Sequence, residues 1–217
     1  MSPSKSRPNT AKRKTSSNQC DTYTYQIDNS LYINLTDRCT LACQFCPKHN
    51  GSTAVKGYEL YLTKQPKAAT IIKQIGTPSK YDEIVFCGYG EPTLRLKALL
   101  EIAHWIKEHD GKTRLNTDGL GSLFHKRDIV PKLAECIDAL SISLNAQNET
   151  VYQQHCHPAL PDSFKAVQAF IKRAAELIPH VQVSAINGLE GVDIIKCREI
   201  TENLGAQFKQ RELDVVG

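Results

Sequence analysis

Three cysteines, Cys39, Cys43 and Cys46, stand in the spacing CxxxCxxC. Thiolates are the usual protein ligands of iron–sulfur clusters and also bind zinc. At this spacing the three can cap one face of a 4Fe–4S cluster, which has four irons to ligate. One iron is then left without a protein ligand and stands open to a substrate or cofactor. Zinc held by the same cysteines with His49 as fourth ligand is the alternative, although structural zinc sites more often pair two CxxC-type knuckles. A disulfide is disfavoured, because nothing in the chain reads as secreted and cytosolic thiols stay reduced.

Other residues invite a chemical reading. Cys87-Gly88-Tyr89-Gly90-Glu91-Pro92-Thr93 places an acid after two glycines, which let backbone approach a ligand closely, and before a proline that suits a helix entry. Asn116-Thr117-Asp118-Gly119 is a turn signal with a polar lead. Ser143 and Asn145 alternate with apolar neighbours and read either as interior polar groups or as strand-end caps. His155-Cys156-His157 suggests a metal site at first glance, but adjacent residues rarely converge on one ion. Cys20, Cys87, Cys136, Cys156 and Cys197 form no CxxC, so no second cluster is expected. Cys87, Cys136 and Cys197 read as buried packing. Lys48 and His49 are either substrate contacts or solvated surface.

The elements that must position these groups alternate. Strand patterns fall at 31–36, 83–87, 113–117, 139–144, 181–186 and 212–216, with helical patterns at 60–75, 94–109, 123–136, 149–155, 163–177 and 193–204 between them. Ser163 is a plausible cap, and Gly205 a C-terminal glycine. Such alternation argues for βαβ units and a parallel sheet. Six units predict an α/β fold, a partial (β/α)6 TIM-like barrel, since a full eight-stranded barrel usually takes ~250 residues. A flavodoxin-like open sheet is the fallback. Either way ligands gather at the C-terminal ends of the strands, where the cysteine loop lies.

With 217 residues the chain is long enough for one cored domain. No apolar run approaches a membrane span, and no signal-peptide core is present, so a cytoplasmic protein is expected. The formal net charge of +4 is concentrated at the start, where Lys5, Arg7, Lys12, Arg13 and Lys14 occur without an acid. Residues 1–22 are expected to be a disordered basic tail, and 23–217 the core domain. Contact of the tail with nucleic acid is conceivable on charge, but no basic stripe interleaved with aromatics supports a nucleic-acid-binding domain.

On the cysteine motif, with Phe45 at the aromatic position of CxxxCxΦC, and on the GEP segment, the chain resembles the radical S-adenosylmethionine (radical SAM) enzymes. The resemblance implies a 4Fe–4S cluster on Cys39, Cys43 and Cys46, with S-adenosylmethionine on the open iron. An electron from the cluster would cleave the cofactor to a 5′-deoxyadenosyl radical that abstracts hydrogen from a substrate. It also implies a six-stranded partial barrel and an external electron donor such as flavodoxin or ferredoxin. Phe45 would pack near the adenine. Gly88, Gly90 and Glu91 would hold the methionine end, as in the family's GGEP motif, where this chain carries Tyr89 in place of one glycine. Asn116 corresponds to a Thr-Asn-Gly segment, Ser143 and Asn145 to polar residues that bind ribose and carboxylate, and Ile186 to an adenine-contacting GxIxGxxE segment. That last match is partial, with Ser184 and Gly191 departing from it.

The ends of the core, LYINLTDRC and RELDVVG, look most like the small TatD-associated radical SAM proteins, a group without a defined substrate. The 7-carboxy-7-deazaguanine synthases and the glycyl-radical-enzyme activases are the compact alternatives. A non-catalytic iron–sulfur or zinc module is the alternative from another class.

Overall fold

The computed structural model describes residues 21–213. The basic residues of the expected tail lie outside that range. Asp21 and Thr22, assigned to the tail by sequence, are held: Asp21 accepts from the Thr63 and Lys64 backbone N–H groups at 2.9 Å, and the Thr22 carbonyl accepts from Asn34 Nδ2 at 3.0 Å.

Among the described residues nine strands form two sheets. The main sheet contains β1 (Thr24–Ile27), β2 (Ser30–Ile33), β5 (Ile84–Phe86), β6 (Thr113–Thr117), β7 (Ala139–Ser143), β8 (His180–Asn187) and β9 (Gln207–Glu212), paired in that order. Pairing is parallel from β2 to β9, and only β1 runs antiparallel, joined to β2 by a tight hairpin with Asp28 at φ 51°. The small hairpin of β3 (Ala54–Val55) and β4 (Tyr58–Glu59) follows the cysteine loop. Helices α1 (Ala68–Ile75), α2 (Leu96–Glu108), α3 (Gly121–His125), α4 (Val130–Ala134), α5 (Glu149–Cys156), α6 (Ser163–Leu177) and α7 (Ile194–Asn203) fill the connections. Six parallel strands in sequential order with β1 and β9 as unjoined edges are a partial barrel, as expected.

One face of the sheet is apolar and carries the helices. Ile33, Phe86, Leu115, Leu140 and Val181 lie in register across five strands, and all are buried. Leu99, Ile102 and Ile106 of α2, and Val167, Phe170 and Ile171 of α6, close over this side of the sheet. The alternation of the strands puts Tyr32, Arg114, Asn116, Ser141, Ser143 and Gln182 on the other face, where they are half-buried. Polar residues therefore line the concave side.

Several expected boundaries move. The helix expected over 60–75 begins only at Ala68, because residues 60–67, with Pro66 among them, run as a loop after the β3–β4 hairpin. The helix expected over 123–136 is two short helices broken near Lys126, which sits at φ 53°. The last strand, expected over 212–216, is Gln207–Glu212, and 214–217 lie outside the described residues. Ser163 does not cap α6: Asp162 holds that position, and Ser163, fully buried, donates its Oγ–H to the Leu160 carbonyl. Among the described residues no helix is long and apolar enough to cross a membrane.

Candidate cluster and cofactor site

Parallel strands put all their C-terminal ends on one side, and the expected site residues follow those ends. The loop after β2 carries Cys39, Cys43 and Cys46 and is held along its length. At its start Asn34, fully buried, accepts from Tyr89 N–H at 3.0 Å and donates to the Leu60 carbonyl at 2.8 Å. Glu91 N–H donates to the Arg38 carbonyl at 2.8 Å, and Thr40 Oγ1 to Asp118 at 3.2 Å. In the middle, Ala42 N–H reaches the Cys156 carbonyl at 3.0 Å, and Gln44 N–H the His155 carbonyl at 2.9 Å. At its end the Tyr89 hydroxyl donates to the Ser52 carbonyl at 2.6 Å.

The glycines after β5 serve this docking. A Cβ on Gly90 would stand 2.3 Å from the Arg38 carbonyl oxygen, and one on Gly88 would stand 2.3 Å from Asn34 Oδ1. Their missing side chains admit the chain's own loop, where sequence reading assigned the approach to a ligand. Tyr89, the departure from the family's double glycine, packs with Tyr25 and Leu60 in a second apolar cluster.

Glu91 is 3 % exposed, and its carboxylate is taken up by its own chain. Oε1 accepts from Thr93 N–H at 2.9 Å, Thr93 Oγ1 at 2.6 Å and Thr117 Oγ1 at 2.8 Å, while Oε2 accepts from Asp118 N–H at 2.8 Å. A carboxylate offers about four acceptor sites. Glu91 therefore ties the end of β5 to the end of β6, a role the expected cofactor contact did not include.

Asp118 lies beside Cys39 and Thr40, with Cys39 Sγ at 3.8 Å. By sequence this segment reads as a turn. Burial, and then the neighbouring Glu91 charge, raise its carboxyl well above the usual range. The Cys39 residue is exposed overall, but its sulfur rests against protein, and burial followed by the Asp118 and Glu91 charges push its thiol up. A hydrogen bond with the Cys156 thiol, and then burial, raise Cys43, while burial raises Cys46. Metal binding at such thiols releases their protons.

Phe45 packs half-buried against the main core. Asn116 accepts from Arg114 at 2.8 Å, and Arg114 also grips Glu83 at 2.7 Å. Cys87, expected as core packing, is half-buried at the end of β5, and its thiol contacts the Asn116 side chain. Ser143 ends β7 half-buried, and Ile186, 1 % exposed near the end of β8, lies outside both apolar clusters. Asn145 is 2 % exposed at φ 57°. Among the described residues, Asn145 Oδ1 and the Tyr152 hydroxyl are buried without a hydrogen-bond partner.

His155 is a bridge, not a ligand. Its Nε2 donates to the Glu190 carbonyl at 2.7 Å, and Nδ1 faces Gln44 Oε1 at 3.3 Å. Lys48 donates to the Asp37 carbonyl and lies 5.8 Å from the centre of the Tyr89 ring, so its ammonium is engaged within the loop. Cys39, Cys43, Cys46 and His49 do not gather around a single point, and no other such set exists among the described residues. The three thiols are gathered no more closely for a cluster than for zinc, so the choice between them rests on the motif and not on their geometry.

In chemistry the donor set suits a cluster of the expected kind: three thiols on one held loop, no fourth cysteine in the motif, and an orphaned carboxamide oxygen, Asn145 Oδ1, after the end of β7. A separate cavity of about 670 Å³ lies between the start of the cysteine loop and the N-terminal ends of α1 and α2. Arg38, Lys67, Arg95 and Lys97 line it, and none is in an ion pair among the described residues.

Residues 33–203 match the family described as the Radical SAM superfamily. No curated protein sequence matches the chain. Among solved structures, TYW1 with a lysine-pyruvate adduct bound is similar with a TM-score of 0.62 at 15% identity, over 87% of this chain and 66% of that one. Streptococcus suis SuiB bound to S-adenosylmethionine gives 0.62 at 14% identity, over 86% and 41%. Methylornithine synthase (PylB) gives 0.55 at 12% identity, over 85% and 53%. These identities establish likeness of fold, and the chain spans less than two thirds of each of these proteins.

Proposed function

The chain belongs to the radical SAM superfamily, and from that premise we propose that it binds a 4Fe–4S cluster through Cys39, Cys43 and Cys46. When bound, the cluster supplies an electron that cleaves S-adenosylmethionine to a 5′-deoxyadenosyl radical able to take hydrogen from a substrate. The observation that carries this reading is the three-thiol loop, pinned by backbone and side-chain bonds to β5, β6 and α5. Such pinning holds the backbone that carries the three thiols.

The remaining residues divide the work. Phe45 closes the loop against the core. Gly88, Gly90 and Glu91 hold the strand ends and the loop in place, so their effect on the methionine end of the cofactor is to shape its floor. Asn116, Ser143, Asn145 and Ile186 are the proposed contacts to the cofactor's polar and adenine parts. The unpartnered Asn145 Oδ1 supports this assignment for that residue.

The substrate remains unidentified. The TatD-associated group is the proposed subfamily, on the two chain-end motifs alone. A flavodoxin or ferredoxin is the proposed electron donor, supported by the unpaired cations beside Arg38. The test is anaerobic reconstitution with iron and sulfide, reduction, and assay of S-adenosylmethionine for 5′-deoxyadenosine. Product that disappears in Cys43→Ala supports the reading. A fully loaded protein that neither forms product nor binds S-adenosylmethionine by electron paramagnetic resonance is a binding module instead.

A further inference from the structure

Among the described residues Tyr152 is the largest fully buried side chain, and its hydroxyl has no partner. An orphaned buried hydroxyl is destabilising, and phenylalanine would pack as well without that cost. The ring rests against Phe164, 5.6 Å between centres. The setting of the hydroxyl is set by α5. Val151, Tyr152, His155 and Cys156 form its buried face. The carbonyls of His155 and Cys156 bind Gln44 and Ala42, the two residues that flank Cys43. One turn earlier on the same face, Tyr152 is therefore held beneath the cysteine loop. Burial first, and then the neighbouring Cys156, Asp118, Cys43 and Cys39 side chains, raise the phenol and keep it a donor.

We propose that Tyr152 is a positioning residue whose O–H donates a hydrogen bond to sulfur on the Cys43 side of the loaded cluster. This rests on the cluster reading given above. Among the described residues the Tyr152 O–H is the buried side-chain hydroxyl left without a partner, and thiolate or sulfide is the acceptor that cluster loading would bring. A donor to cluster sulfur stabilises the reduced, more negative state and raises the potential.

The experiment compares wild type with Tyr152→Phe, both cluster-free and reconstituted. Expected are equal iron and sulfide contents, a more negative midpoint potential in the variant by EPR-monitored titration, and a higher Tm for the variant only when cluster-free. A second variant carries 3,5-difluorotyrosine at position 152. It keeps the hydroxyl as a stronger donor, and its potential should rise. Equal potentials across all three fully loaded proteins would overturn the inference while leaving the cluster reading intact. If Tyr152→Phe does not fold, an unshifted potential in the fluorinated protein overturns it alone. A wild type that takes up no cluster removes the cluster reading, and the inference with it.

Discussion

Glu91 and Asn145 show how two residues marked by the same resemblance come to different ends. Glu91 spends its acceptor capacity on Thr93, Thr117 and Asp118. In Glu91→Gln an NH2 group must face one of these donors, leaving buried hydrogen-bonding groups unpaired. The expected loss is about 2 kcal/mol or more in the cluster-free protein, read from the urea midpoint; an unchanged midpoint would return the side chain to cofactor duty. Asn145 has the opposite profile, buried with its carbonyl oxygen unused. Its left-handed backbone tolerates glycine. Asn145→Gly should therefore retain fold and cluster while weakening S-adenosylmethionine binding about tenfold, worth ~1.4 kcal/mol, by equilibrium dialysis. Undiminished binding would remove Asn145 from the site. Gly90→Ala places a methyl group where the Arg38 carbonyl sits. Reconstituted Gly90→Ala should hold less iron per chain than wild type, and full loading would show that the loop can give way.

At the level of elements, the end of the sheet remote from the cysteines carries stability. Asp138 accepts from Lys107 at 2.6 Å and from Thr113 N–H at 2.8 Å, joining the C-terminal part of α2 to the starts of β6 and β7. Partial burial opposes ionisation, but the bonds to Lys107 and Thr113 outweigh it and hold the carboxyl below its usual value. A depressed folded value means stability that is present above the unfolded pKa, about 4, and is lost as pH falls through the folded one. Asp138→Asn should cost roughly 1 kcal/mol at pH 7, a figure kept small by partial exposure, with the gap to wild type closing below pH 4 in urea titrations. A gap that does not depend on pH would exclude the carboxylate charge as its source. The elements legible in sequence were those with a strong apolar stripe. Ser163–Leu177 is amphipathic throughout and falls where its period puts it. The strand Gln207–Glu212 was misplaced because an edge strand with one half-buried phenylalanine has no alternation to read, and the apolar Val215-Val216 drew the expectation onward. The Thr24–Ile27 strand was missed for its shortness. Of the proposed site residues, the motif cysteines and Asn145 were visible by type, spacing and strand-end position. Asp118, His155 and Tyr152 were not, because their importance comes from residues distant in sequence.

At the scale of the whole molecule, the described residues present a polar concave face at the strand ends and, outside it, a cavity lined by Arg38, Lys67, Arg95 and Lys97 against the single acid Glu101. An acidic reductant meeting those cations would be steered by charge. The double variant Lys67→Glu/Lys97→Glu should slow reduction by flavodoxin at low ionic strength, lose that effect in high salt, and leave chemical reduction by dithionite unchanged. Equal rates with flavodoxin would place the donor elsewhere. The long reach of α5 has a consequence in time as well as in space. Gln44 and His155 are 111 residues apart, yet each helps fix the other. During synthesis the loop emerges long before the helix that shapes it. A chain made only as far as Asp118 already has the bonds that hold the two ends of the loop, but the stretch around Cys43 waits for His155 and Cys156, so on the cluster reading the middle thiol is the last to be set in place.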